Sequence, residues 1–158
     1  MKTLQFAALY FIFLLGTMPI AASAQPYVIS SDGSEVTDQK TGLIWRRCAE
    51  GMVFSGGTCT GSASTFTHEA ALQFAVDQAS STGIAWRLPN VKELSSIADK
   101  SLANLLIDPT AFPATPASPF WSASPVVGYS TNAWLVNFSD GVVYGNYLNL
   151  TYYVRLAR

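Results

Sequence analysis

The residues most able to do chemistry in this chain are two cysteines and a single histidine. Cys48 and Cys59 bracket a short segment rich in glycine, serine and threonine, and an exported chain with only these two cysteines is expected to join them in a disulfide. A zinc site needs about four ligands, which the cysteines and the lone His68 do not supply. The sequence therefore predicts a structural disulfide, no metal site and no cofactor.

Carboxylates offer the remaining route to catalysis. Asp99, Asp108 and Asp140 could converge in the folded chain and act as an acid and base pair in hydrolysis, although no motif around them indicates this. His68 falls in the first turn of a predicted helix, where we interpret it as a solvated surface residue. We predict a protein without catalytic residues and keep a hydrolase as an alternative.

A short stretch, AWRLPNVKEL, combines an arginine and a glutamate with strong structural signals. Pro89 ends a short strand predicted over 84–88, and Asn90 with Glu93 matches the capping box that begins a helix. We expect Arg87 to hold a neighbouring carboxylate or carbonyl, because its guanidinium carries five donors in a fixed fork, and its removal should cost a few kcal/mol if the group is buried and paired. Both charged residues are therefore interpreted as structural.

The amino-terminal residues predict a leader peptide over 1–24. Lys2 precedes an apolar run from Phe6 to Leu15, and Ala22-Ser23-Ala24 forms a small-residue cleavage pattern. The apolar run is too short to span a membrane, for which about 20 residues are needed. We expect a secreted or periplasmic protein, with attachment to the cell surface as a further option, and no membrane span after cleavage.

Charge limits the partners. The formal net charge of the chain is −1, removal of Lys2 with the leader lowers it to −2, and basic residues form no cluster. Nucleic acid is therefore excluded as a partner, because its binding rests on clustered lysine and arginine. Residues 25–158 are long enough for a single domain with one proper core.

The sequence predicts an α+β fold, whose helices and strands position these residues. A β-hairpin is predicted over 27–47 with its turn at 38–42, followed by an exposed loop around the cysteines and a helix from Thr65 or Thr67 to about Ser80. A second helix after Asn90 presents an apolar stripe, and residues 101–132 are predicted to be a long irregular segment. A hairpin over AWLVNFSDG and a final strand complete two helices packed on twisted antiparallel hairpins with long loops.

Strict alternation over residues 147–156 predicts the ligand-binding face. It places Tyr147, Asn149, Tyr153 and Arg155 opposite a core-facing row, and we expect Tyr129 and Asn132 of the irregular segment to join the tyrosines. Structural roles are predicted for Trp45, Trp86, Arg87, Asn90, Glu93, Trp121, Trp134 and Arg155. The predicted ligand-binding residues are Tyr129, Asn132, Tyr147, Asn149 and Tyr153.

Eight motifs occur in an order that resembles a known family. They are TGLIWRRC, TCTG, TFTHEA, AWRLPNVKEL, IDPTAFPAT, FWSAS, AWLVNFSDG and YVRLAR. The chain is similar over about 33–158 to the C-terminal domain of Legionella-type collagen-like adhesins, long classed as a domain of unknown function. Leu156 and the Phe74-Ala75 pair stand where that family often has two further cysteines, so both are absent together.

The resemblance implies a C-type-lectin-like fold and an exported or surface-associated protein that binds polyanionic sugars. The net negative charge argues against a polyanion, and the calcium-binding motifs of true C-type lectins are absent. We therefore expect a non-catalytic recognition or adhesion module for a neutral glycan or a cell-surface protein. The alternatives are a structural subunit of a surface assembly, with a possible homo-oligomer, and an enzyme related to the formylglycine-generating oxidase of the same fold group.

Overall fold

A computed structural model of the chain describes residues 26–102 and 105–158. The predicted leader, residues 1–24, lies outside the described residues. The helices are α1 (His68–Thr82) and α2 (Val91–Ser96). The strands are β1 (Tyr27–Ile29), β2 (Glu35–Asp38), β3 (Ile44–Arg46), β4 (Val53–Ser55), β5 (Thr58–Thr60), β6 (Thr65–Phe66), β7 (Pro119–Val126), β8 (Tyr129–Asn137), β9 (Val143–Tyr147) and β10 (Tyr152–Tyr153). This mixture confirms the predicted α+β class.

The amino-terminal strands form a three-stranded antiparallel sheet in the order β1-β2-β3. The turn from β2 to β3 is where the sequence predicts it. The carboxylate of Asp38 accepts hydrogen bonds from the Lys40 amide (2.8 Å) and the Thr41 hydroxyl (2.6 Å). Gly42 follows with φ of 77°, a conformation that glycine adopts without a steric penalty.

The central five-stranded sheet has the order β6-β10-β7-β8-β9 and separates two hydrophobic cores. Successive residues of one strand point to opposite faces, so Phe120 and Val136 join one core while Trp121 and Leu135 join the other. The α2 core also holds Trp45, Leu94, Ile97, Phe112 and Phe138. The α1 core also holds Ala71, Ala75, Trp86, Leu88, Val154 and Leu156. Trp45, Trp86 and Trp121 are buried, and Trp134 is half-buried.

Both helices begin at predicted caps. The Thr67 hydroxyl accepts the Ala70 amide (3.3 Å) at the start of α1, which ends two residues later than predicted, at Thr82 before Gly83. Its buried face carries Ala71 and Ala75, whereas Ala70 is exposed. At α2, the predicted capping box is confirmed, because the Asn90 side chain accepts the Glu93 amide while Glu93 accepts the Asn90 amide.

The Cys48–Cys59 disulfide is present, as predicted. The segment between the cysteines is not a simple exposed loop, because β4 and β5 pair within it and Cys48, Ala49, Glu50 and Cys59 are all buried. The predicted strand over 84–88 is also wrong. Within that stretch Arg87 makes one isolated β-bridge, and its partner is Ala157 in the carboxyl-terminal segment. A single bridge does not make a strand.

The irregular segment is shorter than predicted, because β7 and β8 already occupy most of residues 119–132. Two prolines in β7 hid the strand from sequence analysis. Pro119 is its first residue, and Pro125 lies at a register shift, both of which are positions where a strand tolerates a missing amide donor.

The long final strand predicted over 147–156 is wrong. Residues 148–151 form a turn, and only Tyr152–Tyr153 is a strand, β10. The sheet is covered on both faces here, so Tyr152, Val154 and Leu156 pack in the α1 core while Arg155 is fully buried on the other face. Tyr153, also on that other face, packs against Phe120 with ring centroids 5.5 Å apart.

Candidate functional site

The candidate site is built around a cross-strand pair at one end of the central sheet. Asn132 of β8 lies directly opposite Tyr147 of β9. Directly opposed residues of an antiparallel pair project to the same face, so the amide and the phenol are neighbours. Tyr147 keeps 59% of its surface exposed, although it belongs to a sheet whose middle is covered on both faces.

The turn after β9 folds back on the start of β8 and forms a groove. The Leu148 amide donates to the Thr131 carbonyl (2.9 Å), and the Leu150 amide donates to the Tyr147 carbonyl (3.1 Å). The groove has a volume of about 320 Å³ and is lined by Ser130, Thr131, Tyr147, Leu148 and Asn149. We call it the Tyr147 groove.

Hydrogen bonds within the protein fix the backbone of the Tyr147 groove. The Asn146 side-chain carbonyl accepts the Tyr147 amide (2.9 Å), and its amino group donates to the Tyr152 hydroxyl (2.8 Å). The Leu148 carbonyl accepts the first amide of α1, from His68 (3.0 Å). A site that is already ordered loses little conformational freedom on binding.

The chemistry of the Tyr147 groove is neutral. Its lining offers hydroxyl, amide and backbone groups and one phenol ring, and it contains no carboxylate, ammonium or guanidinium group. Tyr129 (67% exposed) adds a second exposed ring at the start of β8. Such a surface suits a ligand that combines hydroxyl groups with apolar faces.

The structure brings together three of the five residues predicted to bind ligand, since Tyr147 and Asn149 line the groove and Asn132 pairs with Tyr147. Tyr129 begins the same strand as Asn132 but is not among the lining residues of the groove. Tyr153 does not join them, because the face of the sheet to which it points is covered at β10 and its ring packs partly inside the α2 core.

The family model of the Lcl C-terminal domain matches residues 34–158. This match spans the β4–β5 hairpin with its disulfide, both helices and the central sheet. The chain belongs to the Lcl C-terminal domain family. No curated protein matches the sequence.

In this Lcl C-terminal domain the predicted surface position of His68 is wrong. His68 is 8% exposed, and its ring packs edge-on against Trp121, 5.1 Å between centroids. Its Nε2 lies 3.0 Å from the Ser122 carbonyl, so Nε2 carries the proton, because a carbonyl can only accept. Burial lowers the pKa of His68, and the bond to Ser122 opposes that shift only in part. His68 therefore supports the groove from inside as a neutral residue.

Two arginines, Arg155 and Arg47, are buried in the interior of the domain. A structural role was predicted for Arg155 alone. Arg155 is fully buried, donates to the carbonyls of Arg46 and Arg47 and to the Thr115 hydroxyl, and lies 4.8 Å from the Phe112 ring centroid. Burial lowers its pKa to about 9, and the charge of Glu50 opposes the shift.

Arg47, the second buried arginine, donates to the carbonyls of Gly33, Thr110 and Ala111. Its neighbour in sequence, Arg46, pairs instead with buried Glu50, whose pKa is raised by burial. The sequence TGLIWRRC carries no sign of which arginine turns inward, so the role of Arg47 could not be assigned from it.

The carboxylates considered for hydrolysis serve local turns. Asp99 and Asp108 line a cavity of about 270 Å³ together with Asp38, but Asp140 is not among its lining residues. Asp99 accepts from Ser101, Asp108 from Thr110, and Asp140 from the amide of Val142. Within residues 26–102 and 105–158, no group of three histidine, cysteine or acidic side chains is arranged to hold a metal ion.

A further cavity of about 350 Å³ lies between the β4–β5 hairpin and Trp86. Its charged lining residues are already paired, Arg46 with Glu50 (2.9 Å) and Glu35 with Arg158 (2.7 Å). Both guanidinium groups also lie over the Trp86 ring, 4.9 and 5.3 Å from its centroid. The charged groups that line the cavity are therefore neutralised by partners within the protein.

No helix in the described part of the chain has the length and apolar character needed to cross a membrane.

Proposed function

We propose that this Lcl C-terminal domain is an exported, non-catalytic recognition module that binds a neutral glycan in the Tyr147 groove. The observation that carries the proposal is the exposed Tyr147 ring, opposed by Asn132 in a groove whose lining is free of charged groups. Tyrosine gives a large contact area at a small cost in side-chain freedom, and asparagine and serine adapt their hydrogen bonds to the ligand.

The lining chemistry supports a glycan as the ligand. A pyranose ring has a face of C–H groups that packs on a phenol ring, and its hydroxyls both donate and accept hydrogen bonds. The Ser130 and Thr131 hydroxyls and the Asn149 amide supply matching donors and acceptors around Tyr147. A sulphated or carboxylated glycan would require basic side chains, and the groove lining contains none.

Export is supported by the Cys48–Cys59 disulfide, because such bonds persist in oxidising compartments outside the cytosol. The predicted leader over 1–24 points the same way. A secreted, periplasmic or surface-attached location fits a module that meets glycans.

A survey of glycans tests the proposal. The purified protein is applied to an array of neutral and sulphated oligosaccharides at low and high salt. We expect retention by a subset of neutral glycans at both salt concentrations, because no counterions need to be released. Binding only to sulphated glycans, lost at high salt, would contradict the proposal and favour a polyanion receptor. Binding to none of the glycans would turn the search to a cell-surface protein.

A further inference from the structure

Strand β9 is the outer strand of the five-stranded sheet on the side away from β6. Among residues 26–102 and 105–158, no strand pairs with its outer edge. Proteins usually protect such an edge with a charged residue, a proline or a bulge, because its unpaired backbone groups can bind another strand. Strand β9 reads VYGNY and pairs with β8 in continuous register, so none of these protections is present.

The hydrogen-bond pattern identifies which backbone groups point outward. The carbonyl of Val142 and the amide of Leu148 both bond to β8, at Asn137 and Thr131. Backbone direction alternates along an antiparallel strand, so Tyr144 and Asn146 also face β8, while Val143, Gly145 and Tyr147 face outward.

Tyr147 closes one end of this free edge. Its amide donates to the Asn146 side chain (2.9 Å) and its carbonyl accepts from the Leu150 amide (3.1 Å). The outward donors and acceptors that remain are those of Val143 and Gly145, two residues apart. They form one short binding unit with two amides and two carbonyls.

We propose that β9 pairs with β9 of a second copy of this chain, antiparallel and about a two-fold axis at Tyr144. In that register Val143 of one copy lies opposite Gly145 of the other, and each pair exchanges two backbone hydrogen bonds. Every outward group of Val143 and Gly145 then has a partner. The arrangement is closed, because both copies use the same surface.

Side chains and charges along the edge favour this partner. Val142 and Val143 are 48% and 40% exposed, so pairing would cover apolar surface at the edge. The nearest acidic residue in sequence, Asp140, would lie opposite Leu148 of the second copy. The two Asp140 residues would be about 26 Å apart along the paired strands, at about 3.3 Å per residue, so they would not repel each other strongly.

Pairing would also join two binding sites. The two Tyr147 residues would lie about 20 Å apart along one continuous sheet, from the strand rise of about 3.3 Å per residue. If the proposed glycan function holds, the dimer would engage two sugar units of one chain and gain avidity from the second. The dimer itself does not depend on that function.

A charge-swap experiment tests the pairing without any ligand. Val143→Lys and Val143→Glu each place like charges diagonally across the two-fold axis. We expect sedimentation equilibrium to give a dimer for the wild-type protein, and at least a tenfold weaker association for either variant alone. Mixing the two variants in equal amounts should restore the dimer, because the charges are then opposite. Val127→Lys, at an exposed position in the turn between β7 and β8 and outside β9, is the matched control and should dimerise like the wild type.

Hydrogen exchange gives a second measurement in case a variant folds poorly. The amides of Val143 and Gly145 should exchange more slowly in the wild-type protein as its concentration rises, while the amide of Gly128 in the β7–β8 turn should not change. A wild-type protein that stays monomeric at high concentration would overturn the proposal. A dimer that survives both Val143 variants, or variants that fail to associate when mixed, would overturn it equally.

Discussion

Arg87 and Glu93 are joined by two parallel contacts, Nη1 to Oε2 at 2.7 Å and Nη2 to Oε1 at 2.9 Å. Oε2 of the same carboxylate also accepts the Asn90 amide (2.8 Å) and so completes the capping box of α2. The backbone of Arg87 in turn exchanges two hydrogen bonds with Ala157. One carboxylate thus connects the start of α2 to the carboxyl-terminal segment, and the pair is structural.

The Arg87→Ala substitution is expected to destabilise the domain only modestly, by about 1 kcal/mol. The side chain of Arg87 is 44% exposed, so the larger loss expected for a buried arginine does not apply, and solvent screens the ion pair. The change in unfolding free energy should be measured by urea denaturation against Lys92→Ala, an exposed residue of the same helix. A loss above about 3 kcal/mol would show that the pair does more than this geometry allows.

Arg155→Met should destabilise the domain by at least about 3 kcal/mol, because it leaves the carbonyls of Arg46 and Arg47 without their buried donor and removes a positive charge near Glu50. The matched control is Arg158→Met, three residues further along, where the guanidinium is 34% exposed. The control should cost about 1 kcal/mol or less. Equal urea midpoints for the two variants would contradict the role given to Arg155.

Stability should fall with pH below about 6.5 because of His68. Burial lowers the pKa of the folded residue, while the unfolded chain keeps a value near 6.5. The unfolded state therefore binds the proton more readily, so the contribution of His68 is complete above about pH 6.5 and is lost as the pH drops. The slope is at most about 1.4 kcal/mol per pH unit for one proton.

His68→Gln isolates this term, because His68 is the only histidine and glutamine still offers a donor to Ser122. The difference in unfolding free energy between the two proteins should change between pH 5 and 6.5 and stay constant above about pH 7. Other titrating groups, including Glu50, are present in both proteins and cancel in the difference. A difference that is independent of pH would show that His68 has an ordinary pKa.

Local signals in the sequence were sufficient for part of this fold. The capping box at Asn90 and Glu93 and the turn at Asp38 depend on residues within a few positions of each other, and both are present as predicted. The disulfide follows from the cysteine count and the redox compartment. None of these features depends on how distant segments pack.

The incorrect predictions concern features that depend on contacts between residues far apart in the sequence. Alternation over 147–156 suggested a surface position for Arg155, but the α2 core covers that face of the sheet, and the aromatic rings of Phe112 and Phe120 lie against the guanidinium. His68 is buried because α1 lies over Trp121, which is far from it in sequence. Asn132 and Tyr147 lie opposite each other in the β8–β9 hairpin, a pairing that was not predicted because Asn132 was assigned to an irregular segment and Tyr147 to a separate final strand.

Binding of Tyr147→Ala to a neutral-glycan array, compared with wild type and with Val127→Ala, tests the central claim most directly. Both variants shorten exposed side chains at the same end of the sheet, but only Tyr147 lines the groove. We expect Tyr147→Ala to keep the wild-type Tm within a few degrees and to bind at least about fivefold more weakly, which corresponds to about 1 kcal/mol. Val127→Ala should bind like the wild type. Unchanged glycan affinity in a folded Tyr147→Ala protein would contradict the assignment of the groove as the binding site.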